Sequence, residues 1–276
     1  MQGVGLEPAA GVGRFLTAAE ENRSFSGLSW IAVEFSKLSA SILRKAFPGA
    51  IIHNEPFESF IAREQYSVAG QIAFAFCNPP FGVRGANKTL DPDKYYRDDI
   101  AYVYFARRVL DLIKGGGVGV LIAPQGLMTG ERQAETRTLL LRRHHLLLSF
   151  RLPSGIYPGA EIVTDCSFWQ SRGGELDEVT AEDEFIAEGN YYRDFPGHIL
   201  GQETTSTRGR YTVEGEFSSF PDAEPREVCA TCSAPRAFLK AKPVAIEVDA
   251  EAQPYLDLAG RVSRYQSMLA GSTEDR

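Results

Sequence analysis

Asn78, Pro79, Pro80 and Phe81 stand in a row directly after an apolar run, Ile72-Ala73-Phe74-Ala75-Phe76-Cys77, and Gly82 follows them. Two consecutive prolines remove two backbone donors and stiffen the turn. Each also pushes the residue before it out of helical geometry. A side-chain carboxamide and a neighbouring backbone carbonyl held in this way can accept both hydrogens of an amino group. That draws the nitrogen toward tetrahedral geometry and frees its lone pair for in-line attack on a methyl sulfonium. Phe81 adds a face on which a planar base can stack.

Three weaker segments lie upstream. In Leu6-Glu7-Pro8-Ala9-Ala10-Gly11-Val12-Gly13-Arg14-Phe15-Leu16 a short strand enters a Gly-x-Gly turn and then a helix. Glycine is needed where φ is positive or where a ligand presses on the backbone. The turn lacks the third glycine of a dinucleotide fingerprint, and Glu7 just before it suits a neutral or cationic ligand better than a pyrophosphate. Taken alone, an ordinary tight turn explains it as well. Glu34 ends the next strand, where a carboxylate can accept from two ribose hydroxyls or simply cap a helix. Phe57 and Glu58, in Asn54-Glu55-Pro56-Phe57-Glu58, could pack on and accept from an adenine; alone, they read as a surface turn.

The elements that must position these groups follow from hydrophobic periodicity. Strands are predicted over Val4–Leu6, Trp30–Phe35, Ala50–His53, Ile72–Phe76, Val118–Ala123, Leu146–Leu152 and Cys166–Gln170. Helices are predicted from Gly13 to about Glu20, over Lys37–Ala46, over Asp98–Ile113 with Gly115-Gly116-Gly117 as its stop, and over Arg132–Arg143. Alternation of strands and helices implies an α/β, doubly wound, mostly parallel sheet of seven strands. The last two strands, joined by the loop Pro153 to Thr164, suit an antiparallel edge pair, and the loop would lie near the rim of the site. Such sheets bind ligands at the carboxyl ends of their strands, where strand order reverses. After Arg172 the pattern weakens into an acidic, loop-rich appendage, with local order expected at Phe238–Glu247 and a helix at Ala252–Leu269.

The 276 residues, 43% apolar, suffice for one α/β domain with an appendage. The net charge of −7 argues against holding nucleic acid by bulk electrostatics, so any such contact must be local. Arg137, Arg142 and Arg143 share one helical stretch and are the candidates for phosphate, although an ordinary solvated helix face accounts for them better. The acidic run Glu175 to Glu188 reads as a solvated face. Of the four cysteines only Cys229 and Cys232 have ligand-like spacing, and with no second pair or nearby histidine no metal site is expected. His144 and His145 read as helix-end residues rather than bases. No apolar run approaches a membrane span and the N-terminus has no export signal, so a cytoplasmic protein is the expectation.

In this order, the Gly-x-Gly segment Glu7 to Phe15, the acid Glu34, the pair Phe57-Glu58 and the tetrad Asn78 to Phe81 resemble the amino-methyltransferases of DNA. They are most similar to the adenine-specific methylase domains of phages and mobile elements, which are often fused to superfamily-two helicases. Leu152-Pro153-Ser154-Gly155, the strand after Thr164-Asp165, and Phe195-Pro196-Gly197-His198-Ile199-Leu200-Gly201 resemble stretches that recur in that family, so the likeness covers about residues 4 to 215. It implies S-adenosylmethionine as cofactor, held by Glu7, Gly11, Gly13, Glu34, Phe57 and Glu58. It further implies a flipped DNA adenine as substrate at Asn78, Pro79, Pro80 and Phe81, no metal, and a helicase or specificity subunit or domain as partner. The family has a segment ahead of the glycine motif that closes over the methionine end of the cofactor. Here Met1 stands almost on the first strand, so the expected methyltransferase domain, 1–172, lacks it, and 173–276 is the appendage. Related tetrads serve enzymes acting on guanine amines of ribosomal RNA or on release-factor glutamine. A truncated DNA-binding or scaffold module is the further alternative.

Overall fold

The computed structural model describes residues 1–157 and 161–226; the expected order beyond, and the Cys229–Cys232 pair, lie outside the described residues. Strands β1 (Gln2–Glu7), β2 (Gly27–Val33), β3 (Ile51–His53), β4 (Ile72–Cys77), β5 (Ile113–Pro124), β6 (His144–Arg151) and β7 (Thr164–Ser171) form one sheet. Their order is β3-β2-β1-β4-β5-β7-β6. The first five strands run parallel, and β7 pairs antiparallel with both β5 and β6. The expected edge pair is present, with β7 inserted between β5 and β6.

Helices cover both faces. On one lie α1 (Arg14–Glu21) and α2 (Lys37–Ala46); on the other lie α3 (Phe57–Val68), α4 (Ala101–Asp111), the single turn α5 (Gly126–Thr129) and α6 (Ala134–Arg143). Period-two alternation splits the central strands between the two layers. Phe74 and Phe76 of β4 join the α1–α2 side, where Phe15 stacks on Phe76 at 4.6 Å, while Ala75 and Cys77 join the α3–α4 side. Each buried aromatic of this kind contributes roughly 1.5–3 kcal/mol.

Two expectations change. The segment 54–58, read alone as a surface turn, leads into α3, whose Phe57, Phe60, Ile61 and Val68 are buried in the core. The glycine triplet does not stop α4, which ends at Asp111; it lies inside β5, where the register with β4 shifts and Gly116 takes φ 78°. His144, the C-cap residue of α6, sits at a helix end as expected; it and His145 also begin β6, and the Nε2 atoms of both rings are engaged, with Asp111 and Arg172 respectively.

The free side of β6 is not left open. The single turns α7 (Glu184–Ala187) and α8 (Tyr191–Asp194), then a hairpin of β8 (Gln202–Thr205) and β9 (Tyr211–Glu214), follow β7. On β6, Ser149 N donates to the Tyr191 hydroxyl oxygen; Leu200 N donates to Arg151 O, and Arg226 N donates to Leu147 O. The acidic run is only partly solvated: Asp183 is buried between Arg172 and Arg226, and Glu175 pairs with Arg142 and Arg143.

Candidate functional site

The chain leaves β1 toward β2 and β3, then crosses back to place β4 on the other side of β1. Strand order reverses between β1 and β4, and sheets of this kind bind ligands in the crevice beyond the carboxyl ends of the strands at such a point. The glycine turn follows β1 and the Asn78 tetrad follows β4, so the two strongest sequence signals flank this one position. Gly5 pairs with Phe74 and Leu6 with Ala75, which brings the ends of the two strands level.

Asn78 is half-buried, and its carboxamide makes no hydrogen bond among the described residues. Pro79 is buried, Pro80 exposed and Phe81 half-buried. The amide has therefore not been consumed by the scaffold. The ring of Tyr157, on the β6–β7 loop, stands edge-on to Phe81 at 6.2 Å. Tyr157 was missed in the sequence; its only signal was its place on a loop expected near the rim.

The two glycines of the turn do different work. Gly13 takes φ 87°, and a Cβ there would lie 2.3 Å from the Phe47 ring, so close packing demands glycine. Gly11 takes φ 56°, and a Cβ there would meet nothing, so its backbone faces open space. Gly11 N donates to Glu34 Oε2 at 2.7 Å and Ser36 N donates to Glu34 Oε1 at 2.7 Å, which fixes that carboxylate beside the turn. Glu7 is 2% exposed and its Oε2 has no partner. Burial, then the nearby Glu34 charge, raises its pKa well above the ordinary carboxyl value, against a backbone hydrogen bond from Leu16. Burial and Glu7 likewise push the Cys77 thiol up. Burial disfavours the charged form of Glu7 unless a cation compensates it, so Glu7 together with the fixed Glu34 beside the turn suits a cationic ligand.

Phe57 and Glu58 are turned into the core rather than exposed beside the glycine turn. Phe57 is 3% exposed and packs on Phe60, Tyr104 and Phe105. Glu58, also buried, accepts from Arg84 Nε at 2.9 Å. Both belong to the first turn of α3, whose apolar face turns to the sheet. The planar side chain left beside Glu34 is Phe35, 71% exposed. Asn54 Nδ2 donates to the carbonyls of Glu34 and Phe35 and holds that corner.

The three arginines are also placed elsewhere. Arg137 is fully buried and donates to the carbonyls of Ala187, Leu127 and Gly130, tying α6 to α5 and α7. Arg142 and Arg143 are spent on Glu175, and Arg143 also on Asp111. They end α6, which runs back toward the start of β6, so they sit at the end of the sheet opposite the tetrad. Helix periodicity put these residues on one stretch but could not show which end of the sheet that stretch reaches.

Among the described residues no cluster of three or more metal-ligating side chains occurs, and no helix is long and apolar enough to cross a membrane. No family model matches the chain. Defense against restriction protein B of Escherichia phage P1 is 30% identical over 176 residues, 63% of this chain, and the match spans 7% of that protein's length. The M protein of the type I restriction enzyme EcoKI superposes with a TM-score of 0.51 at 17% identity, covering 64% of this chain and 41% of that one. A Listeria monocytogenes protein described as a class I S-adenosylmethionine-dependent methyltransferase gives 0.50 at 12% identity, over 64% and 57%. The chain thus has the seven-stranded fold of the class I S-adenosylmethionine-dependent methyltransferases.

Proposed function

We propose that this chain transfers a methyl group from S-adenosylmethionine to the exocyclic amine of a flipped adenine in DNA. One observation carries the reading: an uncommitted carboxamide, Asn78, stands across the strand-order reversal from an acidic glycine turn. The residues of that turn fit the cofactor. Glu7 offers a buried oxygen without a partner to an ammonium, Gly11 offers open backbone, Glu34 offers lone pairs to ribose hydroxyls, and Phe35 offers its face to an adenine ring.

When bound, S-adenosylmethionine supplies a methyl group already activated on a sulfonium, so the protein has no need of a nucleophile. Asn78 Oδ1 and the Pro79 carbonyl accept the two amine hydrogens and expose the nitrogen lone pair. Catalysis is then mainly positioning and dipole alignment. Extruding the base from a duplex costs a few kcal/mol. Stacking on Phe81, with Tyr157 at its edge, offsets this, since base–aromatic stacking contributes about 1–3 kcal/mol per base. No phosphate contact is assigned to Arg137, Arg142 or Arg143. The phage relative is named for defence against restriction, which ranks DNA ahead of RNA and protein as acceptor. Choice of target sequence falls to a helicase or specificity subunit or domain, because the described residues are taken up by the sheet, its helices and one short hairpin.

The test is parallel incubation of the protein with methyl-labelled cofactor and DNA, RNA or protein acceptors. Label in DNA, recovered as N6-methyladenine, is expected. Label found in RNA or protein but not in DNA would overturn the substrate.

A further inference from the structure

The stretch after the tetrad is folded around one buried guanidinium, and this sets where the tetrad stands. Arg84 lies three residues beyond Phe81, and its side chain is 1% exposed. Its Nε donates to Glu58 Oε1 at 2.9 Å, and its Nη1 donates to the carbonyls of Tyr96 and Asp98, both at 2.9 Å. The guanidinium lies 3.4 Å from the centre of the Tyr104 ring, on α4. The backbone around it is zipped as well: Arg84 N donates to Asp99 O, Ala101 N donates to Gly82 O, and Val83 bridges Ile100. Asp91, fully buried, accepts from the Tyr104 hydroxyl on the same helix and pairs with Arg108. One cation thus joins the first turn of α3, the β4–α4 segment and α4.

Stability alone is a poor reason for such a pair. Removing two charges from water costs several kcal/mol each, and well-packed apolar residues in their place are often neutral or stabilising. What the pair supplies instead is direction. An apolar side chain at position 84 could fill the space but could not bind two carbonyls and a carboxylate at once. The tetrad is held on its upstream side by β4; Arg84 holds it on the downstream side.

We propose that Glu58 and Arg84 are positioning residues for methyl transfer, fixing the Asn78–Phe81 turn through the Arg84 guanidinium. The inference rests on the function proposed above. It gives Glu58 a role at the base side of the crevice, in place of the cofactor role expected from the sequence.

The experiment compares the wild type with Glu58→Gln, Arg84→Met and the double variant Glu58→Leu/Arg84→Met. For each, thermal stability, cofactor affinity, kcat, KM and amide hydrogen exchange at residues 81–84 are measured. Single variants leave one buried group unpaired and are expected to lose stability. The double variant removes the unpaired charge but still strands the carbonyls of Tyr96 and Asp98, so it is expected to regain only part of the stability lost by the single variants, to bind cofactor within about twofold of wild type, and to keep a kcat at least tenfold low with exchange at 81–84 at least tenfold faster. A double variant that recovers wild-type kcat and wild-type exchange overturns the proposal, because the pair would then be scaffold only. If the wild type methylates no acceptor, the proposed function fails, and the exchange comparison decides the positioning claim by itself.

Discussion

Asn78→Ala deletes the carboxamide and leaves the diproline bend. A loss of about 100-fold or more in kcat is expected, in line with removal of one preorganised polar group from an active site, with cofactor affinity within twofold by calorimetry. Loss of both together would make Asn78 structural. The glycines should separate in the opposite sense. Gly13→Ala drives a Cβ into Phe47 and should cost about 2–4 kcal/mol in urea unfolding. Gly11→Ala meets no atom, so it should cost only about 1–2 kcal/mol of backbone strain while weakening cofactor binding tenfold or more. Glu7 predicts a pH signature. Its folded pKa lies above the ordinary carboxyl value of 4.5, so the folded state holds the proton longer than the unfolded one. Its contribution to stability is complete below that value and is lost as pH rises through the folded pKa. Glu7→Gln should flatten that decline in thermal scans carried upward from pH 4.5. Wild-type affinity for a cationic cofactor should rise over the same window as the carboxylate forms, and Glu7→Gln should abolish the rise.

At the scale of elements, Arg137 tests the reassignment of the basic helix. Arg137→Met strands three carbonyls of α5, α7 and their connection. It should lower stability by about 2–3 kcal/mol and leave the salt dependence of DNA binding unchanged. A reduced salt slope would restore a phosphate contact. The elements were legible where burial and periodicity coincide. Lys37–Ala46 is helical over the predicted span, because Ala40 and Leu43 face the sheet and Ser36 caps the start. The strand before the tetrad was legible for the same reason. α3 was not, although Phe57, Phe60, Ile61 and Val68 carry helical spacing; a Phe-Glu pair after a strand was read as ligand chemistry when it opens a core helix. Glu34 and Gly11 could be named from sequence because a strand end and a turn are local features. Arg84 and Tyr157 could not, because their partners lie 12 to 76 residues away, counting from Tyr96 to Arg84 and from Phe81 to Tyr157.

At the scale of the whole molecule, ligand linkage separates an enzyme from a scaffold. Cofactor at 100 times its Kd stabilises a folded binder by about 2.7 kcal/mol, which for a domain of this size raises Tm by roughly 5–10 °C. A folded sample whose Tm does not move with S-adenosylmethionine would favour a scaffold. The net charge of −7 sets a second whole-molecule expectation. Association with DNA should depend on salt less steeply than for a basic protein, because few counterions are released. A steep slope would point to a local cationic strip in this acidic chain.

The chain after β7 lies along the outer edge of β6, with Tyr191, Leu200 and Arg226 bonded to its backbone. A version stopped at Arg172 would uncover a row of vacant amides and carbonyls beside strongly apolar side chains, a template for pairing with a second molecule. Such a version should run as oligomers or precipitate even though every residue of the crevice is retained. A minimal version that stays in solution has to carry the stretch that at first sight resembles a tail.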